Sequence, residues 1–186
     1  KVETKTKLLS GNTVDVIIEV DRGNVSKISK ISFIGDKKVR ERRLRDIIAS
    51  EEDKFWKFIS KNTRFNDEIV KLDIRLLNNY FKSIGYYDVK VTSQSAELSN
   101  TGEVELTYSI DAGNRYVINK IFINTDSVFD AKLFYPLNDK FKSNVGKYYS
   151  PFIIKKLLED IDELIENNNL QFVEHNVEEI IEGKNI

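Results

Sequence analysis

The sequence predicts an α+β fold built from tandem strand–helix–helix–strand–strand units. Two observations support this class: a strand pattern repeats within the chain, and an amphipathic helix pattern repeats after it. The chain has 186 residues, 40% of them hydrophobic, which is enough apolar material for one or two buried cores. The missing Met and the opening Lys1-Val2-Glu3 indicate an internal segment of a longer polypeptide.

The strand pattern repeats at an offset of 90 residues without a gap. Residues 14–36 (VDVIIEVDRGNVSKISKISFIGD) align with residues 104–126 (VELTYSIDAGNRYVINKIFINTD). Each copy alternates apolar residues, breaks at Gly-Asn, and continues into a second strand, so the break predicts a boundary between units. The identical pairs are Val14/Val104, Asp21/Asp111, Gly23/Gly113, Asn24/Asn114, Ile28/Ile118, Lys30/Lys120, Ile31/Ile121 and Asp36/Asp126.

The helix pattern repeats at an offset of 84 residues. A spacing of three or four residues places the apolar positions on one helix face. These positions are Val70, Ile74, Leu77 and Phe81 in one copy, and Ile154, Leu158, Ile161 and Ile165 in the other. Asn66 and Ser150-Pro151 are suitable helix starts, and Gly85 and Asn169 suit helix ends. The smaller offset predicts that the later copy is six residues shorter, and that the earlier copy carries the extra residues around Glu51–Phe65.

The remaining elements complete one unit. A shorter helix is predicted at Val39–Ala49, with its counterpart at about Val128–Leu137. A second strand is predicted at about Tyr87–Ser95 and a closing strand at Glu103–Asp111, with a turn between them. The order is therefore strand, helix, helix, strand, strand.

The repeat divides the chain into three parts. Residues 1–22 are predicted to be the C-terminal hairpin of a preceding unit, with strands at Val2–Leu8 and Thr13–Asp21. Residues 23–113 form a complete unit. Residues 114–186 form a unit that stops before its last strand, with strands predicted at Ile118–Asn124 and near Leu170–Val177. Without that strand, the third unit is expected to have an unsatisfied sheet edge and an under-covered core.

Three stretches carry a family resemblance: Ile28–Asp36, the helix exit Tyr80–Tyr87, and Val104–Asp111 followed by Gly113. Their order resembles the polypeptide-transport-associated (POTRA) domains of outer-membrane biogenesis proteins. The resemblance is strongest to barrel-assembly members, from the end of a second domain through a third into a fourth. It implies units that each have a three-stranded mixed sheet covered on one face by two helices. Asn124–Asp126 and Asn169-Leu170 depart from the family pattern in the third unit.

The resemblance also implies a location and partners. The segment would lie in the periplasm, as part of an outer-membrane protein of a Gram-negative bacterium with a C-terminal membrane β-barrel. It would bind unfolded outer-membrane β-barrel proteins and dock accessory assembly lipoproteins for folding and insertion. The alternative is the POTRA region of a related transporter, either a two-partner secretion pore or an autotransporter-assembly factor.

Free sheet edges suggest how such a segment would bind. An edge strand offers backbone donors and acceptors to any extended chain, with little demand on its sequence. By resemblance the second strand is the outer one; an ordinary hairpin strand without a partner is the open alternative. The candidate edge residues are Val89, Lys90, Val91, Thr92, Ser93, Gln94 and Ser95.

Two further groups are candidates. Phe55 and Trp56 could anchor a partner from their loop, or fold back on the domain. The inter-domain junctions are predicted at Gly23-Asn24 and Gly113-Asn114, where they would set the angles between units.

Composition weighs against other classes of function. The net charge of −1 lacks the basic excess of a nucleic-acid binder. With no Cys and a single His, thiolate metal sites and cysteine nucleophiles are excluded, and no catalytic constellation is evident. The sequence therefore predicts a non-enzymatic protein with no cofactor, no metal and no small-molecule substrate.

Overall fold

A computed structural model describes residues 2–8, 11, 14–20, 26–54, 63–98, 102–126, 128–170 and 173–186. The chain begins with a separate two-stranded hairpin of β1 (Val2–Leu8) and β2 (Val14–Val20). These strands pair antiparallel from Val2↔Val20 to Leu8↔Val14, which confirms the predicted hairpin. Val16, Ile17 and Ile18 of β2 have exposed side chains.

The next segment contains the predicted three-stranded mixed sheet. Its strands are β3 (Lys27–Asp36), β4 (Lys90–Leu98) and β5 (Glu103–Asp111). The spatial order is β3-β5-β4, with β5 parallel to β3 and antiparallel to β4. Both β3 and β4 are therefore edge strands, and β5 has the alternating burial of a central strand with one covered face.

Two helices cover this sheet: α1 (Glu41–Ile47) and α2 (Asp67–Ser83). Asn66 caps α2 by accepting a hydrogen bond from the Glu68 amide, as the sequence predicts. The predicted apolar stripe of α2 packs on the sheet, and Leu44 of α1 is fully buried against it. The core contains Ile28, Ile31, Phe33, Leu44, Val70, Leu77, Phe81, Val89, Val91, Leu106, Tyr108, Ile110 and Ala112.

In residues 114–186, the regular elements that the structure describes are helices. A 3₁₀ helix (Ala131–Leu137) leads into α3 (Asn138–Asn144), and α4 (Pro151–Asn167) follows. The short helix predicted at Val128–Leu137 therefore starts later and continues further. Ser150 caps α4, and Asn169 beyond its end has the predicted left-handed backbone (φ +52°).

The strands predicted at Ile118–Asn124 and near Leu170–Val177 are wrong, because no described residue there lies in a regular strand. The counterpart of the first, β3, is held in the sheet by the central strand β5. No described segment of residues 114–186 supplies such a central strand. Among its described residues, isolated bridges form instead, joining Val117 to Tyr148 and to Asn185, and Glu182 to Asn185. The described residues of this part therefore form no sheet.

The buried face of helix α4 also differs from the predicted one. Leu157 is its buried residue, and it packs with the preceding helices. The predicted stripe of Ile154, Leu158, Ile161 and Ile165 is only half-buried. Among the described residues, no helix is long and apolar enough to cross a membrane.

Candidate functional site

The outer edge of β3 is closed by the loop that follows α1. The Asp53 amide donates to the Ile28 carbonyl at 2.7 Å. The Ile31 amide donates to Glu52 Oε1 at 3.0 Å, so a carboxylate occupies the place of a neighbouring strand. Lys27 also forms an antiparallel bridge with Arg64. These contacts use backbone groups that an incoming chain would need.

Charged side chains close the rest of this edge. Arg45 donates to Glu52 at 2.7 Å and to the Ile31 carbonyl, and Lys37 Nζ donates to the Phe33 carbonyl at 2.9 Å. Burial opposes ionisation of Glu52, but the Ile31 amide and the Arg45 guanidinium together hold the pKa of this carboxyl below its usual range. The carboxylate stays charged at neutral pH and keeps the edge occupied.

The outer edge of β4 is open by comparison. Within the described parts of the chain, β4 pairs with β5 alone, from Lys90↔Asp111 to Leu98↔Glu103. The side chains of Lys90, Thr92, Gln94 and Ser95 are exposed, and Ser93 is half-buried. The sheet therefore has one closed edge and one open edge.

Most of the predicted edge residues lie on one strand, β4, but the bounds of this strand differ from the prediction. The strand was predicted at Tyr87–Ser95, but β4 begins at Lys90, so Tyr87 and Val89 lie outside it. The side chains of Val89 and Val91 are buried in the core. They hold the strand on the domain, and only their backbone groups can face a partner.

A buried carboxylate connects the elements that pack behind this sheet. Asp73 of α2 is 0% exposed and accepts hydrogen bonds from the amides of Ala49 and Ser50, at 2.6 and 3.2 Å. The hydroxyl of Tyr108 on β5 donates to its other oxygen. Burial and this hydrogen bond raise the pKa of Tyr108 well above its usual range, so the phenol remains a donor. One side chain thus joins α2, the loop after α1 and the central strand.

Residues 114–186 dock on the exit of α2 through backbone and arginine contacts. The Tyr116 amide donates to the Gly85 carbonyl at 2.8 Å, and Arg115 Nε donates to the Ile84 carbonyl at 2.9 Å. The Arg115 guanidinium lies 3.3 Å from the centre of the Tyr148 ring, a cation–π contact. These contacts connect the two parts directly.

Tyrosines and one glutamate complete this junction. The hydroxyls of Tyr87 and Tyr149 both donate to Glu179, at 2.6 Å for Tyr87, and their rings meet edge to face at 5.1 Å. The bond to Glu179, with burial, raises the pKa of Tyr87 to about 12. Burial and the same carboxylate raise the pKa of Tyr149 above its usual range. Both phenols therefore stay protonated at neutral pH, as donors.

The predicted junction residues form only part of this contact. Gly113 has φ +67°, which suits the boundary, and Asn114 is exposed. The residues that make the contact were not predicted, although the repeat contained a signal: Arg115 and Tyr116 replace Val25 and Ser26 of the first copy. The predicted sites Gly23, Asn24, Phe55 and Trp56 lie outside the described residues.

The single histidine has an ordinary environment. His175 Nε2 lies 3.2 Å from an oxygen of Asp162. In the described part of the chain, no group of three or more His, Asp or Glu side chains is placed to hold a metal ion.

The family comparison agrees with this architecture. The POTRA family model, described as a surface antigen variable number repeat, matches residues 26–113. This range contains β3, α1, α2, β4 and β5, the complete unit of the repeat. This segment of the chain is therefore similar to the POTRA family.

The chain is also similar to parts of two outer membrane protein assembly factors. The chain is 24% identical over 129 residues to the outer membrane protein assembly factor BamA of Neisseria meningitidis, covering 68% of this chain and 16% of that protein. It is 24% identical over 115 residues to BamA of Buchnera aphidicola, covering 61% and 18%. The match thus spans less than a fifth of each relative. The chain is similar to a part of these BamA proteins.

A solved structure shares the fold. The crystal structure of Haemophilus influenzae BamA POTRA3-5 aligns with a TM-score of 0.56 at 17% identity, covering 98% of this chain and 67% of that one.

Proposed function

We propose that this segment acts in the periplasm as a non-catalytic binding module of an outer-membrane assembly factor. Unfolded outer-membrane β-barrel proteins would bind by adding an extended strand to β4. The observation that carries this proposal is the asymmetry of the sheet, whose β3 edge is occupied by Asp53, Glu52 and Arg45 while β4 pairs with β5 alone among the described residues. The names of the relatives favour an assembly factor over the transporter alternative.

The chemistry of β4 suits many clients. Backbone hydrogen bonds supply affinity without requiring a particular sequence. The exposed Lys90, Thr92 and Gln94 keep the strand solvated, and a lysine on an edge opposes permanent pairing with another sheet. The buried Val89 and Val91 hold the edge in place for a client. Reversible binding of extended chains is what this arrangement supports.

We also propose how the chain is divided into units. We take residues 1–22 as the hairpin of a preceding POTRA-like unit, 23–113 as a complete unit, and 114–186 as a unit without its last strand. The 90-residue repeat and the hairpin β1–β2 support this division. Docking of accessory lipoproteins is proposed from the family resemblance and assigned to no residue.

Photo-crosslinking tests the proposal with matched positions on the two edges. A photoreactive residue is placed at Lys90, Thr92 or Ser95 on β4, and in separate variants at Lys30 on β3. Lys30 and Lys90 are both exposed lysines on edge strands of one sheet. Unfolded barrel peptides are expected to crosslink strongly to the β4 positions and weakly to Lys30, because the β3 edge is already occupied.

A second control lies away from the sheet, at the exposed Glu163 of α4. Labelling at Lys30 or Glu163 equal to that at β4 would contradict edge pairing. If β4 is not labelled while peptide binding is seen by another method, the binding site lies elsewhere.

A further inference from the structure

One ion pair at the β3 edge bonds to the backbone as a residue of a neighbouring strand would. The Ile31 amide donates to Glu52 Oε1 at 3.0 Å, and the Ile31 carbonyl accepts from Arg45. Arg45 also donates to Glu52 at 2.7 Å, so the pair offers an acceptor and a donor to the same residue. In an antiparallel sheet, two facing residues exchange an N–H and a C=O in this way. The Arg45–Glu52 pair therefore takes the place of one residue of an antiparallel strand.

Other groups continue this arrangement along β3. Towards the end of the strand, Lys37 Nζ donates to the Phe33 carbonyl at 2.9 Å. Towards its start, the Asp53 amide donates to the Ile28 carbonyl at 2.7 Å. The Arg45 guanidinium also lies 5.7 Å from the centre of the Phe33 ring, a cation–π contact that holds it over the strand. Side chains and one loop amide thus occupy this edge from its start to its middle.

The start of β3 shows that this edge can pair with an antiparallel chain. Lys27 forms an antiparallel bridge with Arg64, and the Phe65 amide donates to the Ser26 carbonyl at 2.9 Å. Backbone from the same unit therefore already bonds to β3 in the antiparallel direction. Further along the strand, at Ile31, the ion pair supplies these bonds instead.

We propose that the Arg45–Glu52 pair, together with Lys37, closes a second strand-binding edge and so restricts extended chains to β4. When the pair is removed, β3 accepts an extended chain that runs antiparallel to it and bonds to both backbone groups of Ile31. A sheet with two open edges is exposed to edge-to-edge pairing with other sheets, and closing one edge opposes this. The inference rests on the proposed function, because it names the side chains that direct clients to one edge.

Amide hydrogen exchange of the whole 186-residue chain shows whether the pair closes the edge. The double substitution Arg45→Ala/Glu52→Ala removes both charges together. The Ile31 amide should then exchange at least about tenfold faster, because it loses its acceptor. The amides of the central strand β5 should exchange as in the unsubstituted chain, which shows that the domain remains folded. An Ile31 amide that exchanges no faster would overturn the inference.

Photo-crosslinking shows whether the opened edge binds an extended chain. An unfolded barrel peptide should label a photoreactive residue at position 30 at least about tenfold more strongly in the double variant than in the chain that keeps the pair. Labelling at position 90 on β4 should stay the same. Glu52→Gln keeps an acceptor for the Ile31 amide, and should raise the labelling at position 30 less than the double substitution does.

The matched control is a second ion pair, placed away from the sheet edges. Glu68→Gln breaks the contact of Glu68 with Lys71 on α2, an exposed pair 2.9 Å apart, and should leave the labelling at both positions unchanged. An equal rise at position 30 in this variant would overturn the inference, because the rise would not depend on the groups that close β3.

The outcomes separate this inference from the proposed function. Labelling at position 90 in every variant, without a rise at position 30 in the double variant, would overturn the inference and leave the proposed function standing. A rise at position 30 in the double variant, without labelling at position 90 in any variant, would support the inference and contradict the proposed function.

Discussion

Replacing Asp73 with alanine is expected to lower the free energy of unfolding of the segment from β3 to β5 by about 3–5 kcal/mol, the range for removing one partner from a buried charged network. The amides of Ala49 and Ser50 and the hydroxyl of Tyr108 would all lose their acceptor. Each donor buried without a partner costs about 1–3 kcal/mol, although such losses do not simply add. Urea unfolding followed by circular dichroism measures the change.

Two variants separate this effect from helix propensity. Asp73→Asn keeps one acceptor oxygen and should fall between Asp73→Ala and the unsubstituted chain. Asp67→Ala removes an exposed carboxylate from the first turn of the same helix and should cost less than about 1 kcal/mol, as expected for a helix-dipole contact. A loss below about 1 kcal/mol for Asp73→Ala would show that the hydrogen bonds to Asp73 do not stabilise the packing of α2 against the sheet.

Gly35→Ala is expected to be the second severe change. Gly35 has φ +86°, and a β-carbon there would lie 2.3 Å from the Ile110 carbonyl oxygen on the paired strand. The backbone conformation costs an L-residue about 1–2 kcal/mol. Overpacking against backbone adds about 1–3 kcal/mol, because β5 must move away from β3. The urea midpoint should fall strongly.

Gly102→Ala is the matched control for this substitution. Gly102 has φ +67°, but a β-carbon there would have no atom within 4 Å. It should therefore cost only the conformational part, about 1–2 kcal/mol. Equal losses at Gly35 and Gly102 would contradict the close approach of β5 to β3.

The complete unit was predictable because its signals are local and repeated. The stripe of α2, the Asn66 cap and the alternation of β3 and β5 each follow from residue spacing, and the family resemblance supplied the sheet order. The openness of β4 was also an expectation from resemblance. The closure of β3 was not predicted, because it depends on Glu52 and Arg45 reaching a strand distant in sequence.

Residues 114–186 differ from the predicted fold for a physical reason. Ile118–Asn124 has the same apolar pattern as β3, but a strand pattern becomes a strand only with a partner. Among the described residues, Val117 and Asn119 bond to Lys184 and Ile186, and Ile118 bonds to Gly146 and Lys147, but none of these partners forms a regular strand beside it. The tyrosine junction was missed because Tyr87, Tyr149 and Glu179 come from three separate segments.

Amide hydrogen exchange, resolved by residue and measured with and without a saturating unfolded barrel peptide, tests the central claim most directly. If clients add to the open edge, protection should rise at alternate residues of β4 between Lys90 and Ala96, because only every second amide of an edge strand points outward. The Ile31 amide, already bonded to Glu52, should not change. Peptide binding that leaves β4 unprotected, or that protects β3 instead, would contradict the account.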